Sequence, residues 1–233
     1  MMGRRIRGVV VRHRNLGTAT LEMIIVFPVL LLLGLGVIQI SLIFRAKGAL
    51  DYAVLEAARA GSVAYASPGA VRDGLATGLV PLLGGAVDVK DYARARVMSR
   101  VELARGEALG WLRIRQVNPT SESFADWGLG RSGSREIPND NLSFRPTTIG
   151  STSGQTIHDS NLLKLKVTYG VPLYVPLVGR LIARTLMMMD PANIILYTAE
   201  PHPRVPVVAS ATVRMQSPPR ESEWTRPHAM KPL

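Results

Sequence analysis

Cysteine is absent from the 233 residues, which excludes disulfides and thiolate metal sites and leaves the redox compartment unreadable from thiols. Acidic residues are missing from the first seventeen positions, where Arg4, Arg5, Arg7, Arg12 and Arg14 stand. Charge of either sign is almost missing from the next stretch, since Glu22 is the only ionisable side chain between Gly17 and Arg45. Clustered histidine is missing too: His13, His202 and His228 are isolated, none has metal-ligand spacing, and no cofactor or metal is called for. No internal repeat is present. The net charge is +11, but the leader holds five of those charges and leaves six scattered over the rest. That dispersal speaks against a nucleic-acid partner and suits acidic lipid headgroups, particularly at Arg45 and Lys47.

What the chain does have is a long apolar run. Met23 to Phe44 is apolar apart from Gln39 and Ser41, and about 20 such residues at about 1.5 Å each cover a hydrocarbon core of about 30 Å. Three readings compete for this segment. A cleaved secretory signal fits the basic leader, but the run is longer than an h-region and no A-x-A site precedes Arg45. An ordinary uncleaved anchor accounts for everything except Gly17 and Glu22. An unpaired acid in a membrane segment is disfavoured by roughly 2.5 to 3.5 kcal/mol at the centre and less at the edge, so Glu22 asks for a partner. Cleavage after Gly17 supplies one: Thr18 becomes a cationic amino terminus about one helical turn from Glu22, and in a packed array a neighbour's amine can neutralise the acid and set axial register. Five arginines before the span, against Arg45, Lys47 and Arg59 after it, put the amino terminus in the cytoplasm.

Gly17, Glu22, the basic leader and the apolar run resemble the processing region of a type IV prepilin. The stretch from Arg14 to Val63, RNLGTATLEMIIVFPVLLLLGLGVIQISLIFRAKGALDYAVLEAARAGSV, is similar to the start of TadE-like proteins, the minor pseudopilins of tight adherence (Flp/Tad) pilus systems. Met23 stands where that family typically has an aromatic residue. The resemblance implies cleavage between Gly17 and Thr18 by a prepilin peptidase, an assembly role for Glu22, and other pilins or pseudopilins and the Tad machinery as partners. It also implies a place in the bacterial inner membrane, with the carboxy-terminal domain in the periplasm or carried into the pilus.

Beyond Arg45 a small apolar stripe continues at Ala46, Leu50, Ala53, Ala57, Ala60 and Ala64, which allows close helix approach, either on the protein's own domain or on a partner pseudopilin. Ser67 and Pro68 predict a helix start, with Val71, Leu75, Leu79 and Leu82 inward and Gly84 and Gly85 as the stop. A third helix from Asp88 or Asp91 to Gly110 is expected to bury Ala93, Val97, Val101, Ala104 and Ala108, with its arginine-rich remainder solvated. Trp111 to Val117 reads as a strand. Residues 118–160 read as a long polar loop anchored by Phe124, Trp127, Ile137 and Phe144. Leu163, Leu165, Val167, Tyr169 and Val171 alternate with Lys164, Lys166 and Thr168 as a strand with one wet face. Pro176 to Met189 returns to helical spacing at Leu177, Leu181, Thr185 and Met189, too short to span, and is expected on the sheet or the membrane surface. The adjoining Met187 to Met189 run is read as adaptable packing. Ile194 to Tyr197 reads as a short strand and Val208 to Met215 as the last one, with a disordered tail from Ser217.

The expected organisation is therefore a leader (1–17), a transmembrane helix (18–44), an extramembrane helical segment (45–110), a strand-rich extracytoplasmic domain (111–216) and the tail (217–233). Its class is α+β: a long amino-terminal membrane helix, shorter helices, then a small antiparallel sheet, a pilin-like arrangement. Enzymatic motifs fail their context. Gly128, Gly130 and Gly133 spell G-x-G-x-x-G but precede Pro138 instead of opening a helix. His158, Asp159 and Ser160 are adjacent, and adjacent residues rarely converge as a triad. The favoured reading is a processed pseudopilin that acts through helix packing, not a catalyst. An uncleaved membrane-anchored scaffold of an envelope complex is the alternative, and an envelope hydrolase a weaker third.

Overall fold

The computed structural model describes residues 18–83, 89–131 and 134–225; Gly17, the arginine-bearing leader, Gly84, Gly85, Asp88, Gly133 and 226–233 lie outside them. The architecture is α+β, as expected, and is built on one helix. α1 runs from Thr18 to Val63. Its first half projects from the domain with its apolar side chains exposed, and its second half is the spine of the core. Ala46, Leu50, Ala53 and Ala57 are buried, so the small-residue stripe packs on this chain's own domain.

The partner along that stripe is α2, Pro68–Gly78. Ser67 caps it by accepting from the Ala70 N–H at 3.3 Å, and Pro68 occupies the first turn, where a missing N–H is harmless. The two helices approach so closely that side chains beyond alanine have no room: an added Cβ at Gly74 or Gly78 would meet the Ala57 or Ala53 backbone at 2.8 and 2.4 Å. The expected single helix to Leu82 is broken, because Pro81 has no N–H to offer the preceding turn. Leu79 closes α2, and Val80–Leu83 forms a separate short α3.

α4 spans Val89–Ala108, and here the inward face differs from the expected one. Ser99, Leu103 and Gly106 are buried, whereas Ala93, Val97, Val101, Ala104 and Ala108 face solvent. Polar groups set the orientation. The Ser99 hydroxyl donates to the Ala76 carbonyl at 2.7 Å, Arg100 pairs with Asp73 at 2.9 Å, and Glu107 pairs with Arg72 at 3.1 Å. Part of the arginine-rich surface is thus engaged in ion pairs with α2.

A three-stranded antiparallel sheet completes the main core in the order β1, β4, β5, from Leu112–Asn118, Leu162–Pro172 and Arg204–Arg214. Leu163, Leu165 and Val167 of the central strand are buried against α1 while Lys164 and Lys166 are exposed, as the alternation requires. Lys166 faces both Arg115 and Ser210 in register.

The stretch 118–160 is not the long loop expected. It folds into α5 (Ser121–Trp127), a two-stranded hairpin of β2 (Leu129–Arg131) and β3 (Ser134–Glu136), and α6 (Ile157–Ser160). Its own small core is Phe124, Ile137, Leu142 and Ile157, with Trp127 packed beside it, whereas Phe144 is 90% exposed and anchors nothing. The Asp126 carboxylate accepts from the Ser153 N–H and hydroxyl, each at 2.7 Å, and from the Thr152 N–H. The Ser153 backbone donor, then its hydroxyl, does most to hold this carboxyl at about 2 instead of 3.8. A depressed folded-state value stabilises the protein above about pH 4 and ceases to do so as pH falls through about 2. Asp126→Asn is therefore expected to lower the thermal unfolding midpoint at neutral pH, with the gap to wild type closing between pH 4 and pH 2 in parallel melts.

Two further expectations are corrected. Ile194–Tyr197 is a single helical turn, α8, following the twelve-residue α7 at Val178–Met189. Residues 217–225, expected to be disordered, are bound. The Ile137 N–H donates to Pro219 at 3.0 Å, Arg220 reaches Glu136 at 2.6 Å and also donates its N–H to Tyr65, and Thr225 is buried. The segment laces the end of α1 to β3 through backbone bonds that carry no periodic side-chain signature.

Candidate functional site

The only acid in the apolar run lies near the free, amino-terminal end of α1, seventeen residues before the domain's contact at Gln39. Thr18 is its first residue and Glu22 stands four positions on, one turn away, exposed and, among the described residues, without an ion-pair partner. Gly17 lies outside the described residues. From Leu21 to Ile38 the helix exposes large apolar side chains all round, including Ile25, Phe27, Leu33 and Val37. Among the described residues, no folded element covers them. Water cannot be the solvent of such a surface, because a helix apolar all round needs lipid or other helices about it.

The two polar interruptions of the run are disposed of separately. Ser41 turns its hydroxyl back to the Val37 carbonyl at 2.8 Å, as apolar surroundings favour. Gln39 is 0% exposed, and its Oε1 accepts the Val175 N–H at 2.9 Å. The domain therefore grips α1 six residues before Arg45, a contact that reading the sequence missed. A lone amide in an otherwise apolar stretch was the available signal. Just above, Lys47 and Asp51 form an ion pair on α1.

Other singled-out residues are structural. Thr156 and Asp159 cap α6 reciprocally, and the Ser160 hydroxyl donates to the Thr156 carbonyl at 3.0 Å. Gly128 closes α5 and Gly130 lies in β2, so neither opens a helix. His202 stacks edge-on against Tyr174. Of the methionine run, Met187 packs against a small cluster, but Met188 is 86% exposed and Met189 is exposed as well, because α7 turns Gly179 and Ala183 inward instead. No group of three or more metal-capable side chains occurs among the described residues.

These features define a class: a protein with one amino-terminal helix long and apolar enough to cross a membrane, carrying a small α+β domain on its far half. Residues 17–59 match the family model described as TadE-like protein. The chain thus carries a TadE-like segment, consistent with a TadE-like protein of Tad systems. The match begins at Gly17 and ends within the buried half of α1, so it covers Thr18, Glu22, the exposed apolar stretch and the start of the core. No curated protein and no solved structure matches the chain.

Proposed function

We propose that the chain is a minor pseudopilin that supports assembly of a Flp/Tad pilus. A prepilin peptidase removes residues 1–17 on the cytoplasmic face of a bacterial inner membrane. The mature subunit then begins at Thr18, spans the bilayer once with residues 18–44, and holds its domain in the periplasm. Its exposed half-helix packs beside those of other pilins or pseudopilins, with Glu22 facing a neighbour's amino terminus. The observation that supports this reading is the single acid in the exposed, largely apolar first half of α1, one turn from the helix start and inside the TadE-like match.

Intact-mass analysis of the protein extracted from membranes of pilus-forming cells tests it. The expected mass lacks the leader, with Thr18 first. Gly17→Leu is expected to shift essentially all of the protein to the unprocessed mass, since a bulky side chain there blocks the peptidase. Native protein retaining its arginine leader would instead favour an uncleaved scaffold.

A further inference from the structure

α7 turns one face inward and leaves another bare. Val178, Gly179 and Ala183 are buried, Ala183 in a cluster with Leu173 and Tyr197, whereas Leu177, Leu181 and Met188 are 67%, 52% and 86% exposed. Those three lie at intervals of four and seven residues, on one stripe of the helix, and Arg180 and Arg184 are exposed along one edge of it. The neighbouring chain adds to the same end of the molecule: Tyr174 is 60% exposed before α7, and Ile194 and Ile195 of α8 are exposed after it. Leu177 is held at φ +64, a strained conformation for a non-glycine residue, and is exposed. Large apolar side chains in such positions need a non-aqueous neighbour.

The height of this collar along α1 identifies the neighbour. The Gln39–Val175 bond and the packing of Ile43 against the Leu173, Ala183 and Tyr197 cluster fix the α7 segment beside residues 39–43. Gln39 is sixteen residues beyond Met23, about 24 Å along a helix. If the hydrocarbon begins just past Glu22 and is about 30 Å thick, the contact falls about 5 Å inside its outer edge. An amphipathic helix lying in the headgroup boundary buries its apolar face by about 5–10 Å, with basic side chains reaching to the phosphates. Arg180 and Arg184 supply those charges, and Tyr174 is a side chain enriched at membrane interfaces.

We infer that α7, with Tyr174 and the exposed isoleucines of α8, is a lipid-binding collar that seats the domain in the outer leaflet of the membrane crossed by α1. The inference rests on the reading of α1 as a membrane span. The collar makes the domain a half-embedded body, held at a set height and orientation by lipid as well as by its helix. Gln39 shares this protection, since the collar covers it from the acyl chains.

The absence of cysteine allows a direct test. Single-cysteine variants Leu31→Cys, Leu181→Cys, Met188→Cys and Ser210→Cys of the full chain are nitroxide-labelled and reconstituted in phosphatidylethanolamine/phosphatidylglycerol vesicles. Relaxation by oxygen, which concentrates in lipid, is compared with relaxation by an aqueous nickel chelate. Labels at 31, 181 and 188 are expected to favour oxygen several-fold, and the label at 210, on the exposed face of β5, to favour the chelate. If 31 favours oxygen while 181 and 188 behave like 210, the collar is overturned and the span stands. If 181 and 188 are shielded from both reagents, a second copy occupies the face and the lipid assignment is overturned. A label at 31 that favours the chelate overturns the span and the collar together.

Discussion

Gly78→Ala is expected to destabilise the domain by about 3 kcal/mol, at the upper end of the usual range for overpacking a closed core. The added methyl would stand 2.4 Å from the Ala53 Cα and 2.8 Å from its Cβ. Neither atom belongs to a flexible side-chain end, so no rotamer change relieves the contact. α1 and α2 must move apart, which loosens Leu50, Val54 and Leu75 at once. Gly69→Ala in the same helix is the matched control, because its added methyl meets nothing within 4 Å. It is expected to be stabilising by up to about 1 kcal/mol through helix propensity. Urea unfolding of the detergent-solubilised protein, followed by tryptophan fluorescence, separates the two. Equal midpoints for the two variants would mean that the seam is not tightly closed.

Glu22→Ala is expected to leave cleavage after Gly17 intact and to cut surface pili about tenfold, the effect of a pair worth about 1.4 kcal/mol in assembly. The acid is exposed and stands seventeen residues from the first domain contact at Gln39, so the fold should not respond. Removing it even makes the isolated span more compatible with lipid. A fall in assembly with unchanged folding and unchanged processing therefore isolates an interaction between subunits. Glu22→Gln should behave in the same way, since the neutral amide keeps the shape but cannot meet a cation. Pili sheared from cells and quantified against the membrane pool give the measurement, and wild-type yields from both variants would remove the assigned role.

The parts of the molecule legible in the sequence are those in which one local rule decides the outcome. Ser67 and Pro68 start α2 because the cap and the proline act within one turn, and the alternation from Leu163 to Val171 fixes β4 because only one of its faces can be buried. The rest depended on distant partners. The inward face of α4 is chosen by Ser99, Arg100 and Glu107 meeting groups on α2, against its own weak apolar periodicity. Residues 118–160 looked structureless because four buried apolar side chains, widely spaced along the chain, organise them. The bound 217–225 segment relies on backbone bonds to Ser62, Tyr65 and Ile137, which leave no mark on composition. At the candidate site, Gly17, Thr18 and Glu22 are proposed from charge, spacing and resemblance, whereas the capture of Gln39 by Val175 needed the fold.

α1 spans 46 residues as one helix, and no proline interrupts it after Pro28, so about 50 Å of continuous helix, at about 1.5 Å per residue, runs from the exposed half into the core. There is no swivel between shaft and head. Any lift or twist imposed on the shaft reaches the head as the same displacement, and the head can only take the bearing its shaft dictates.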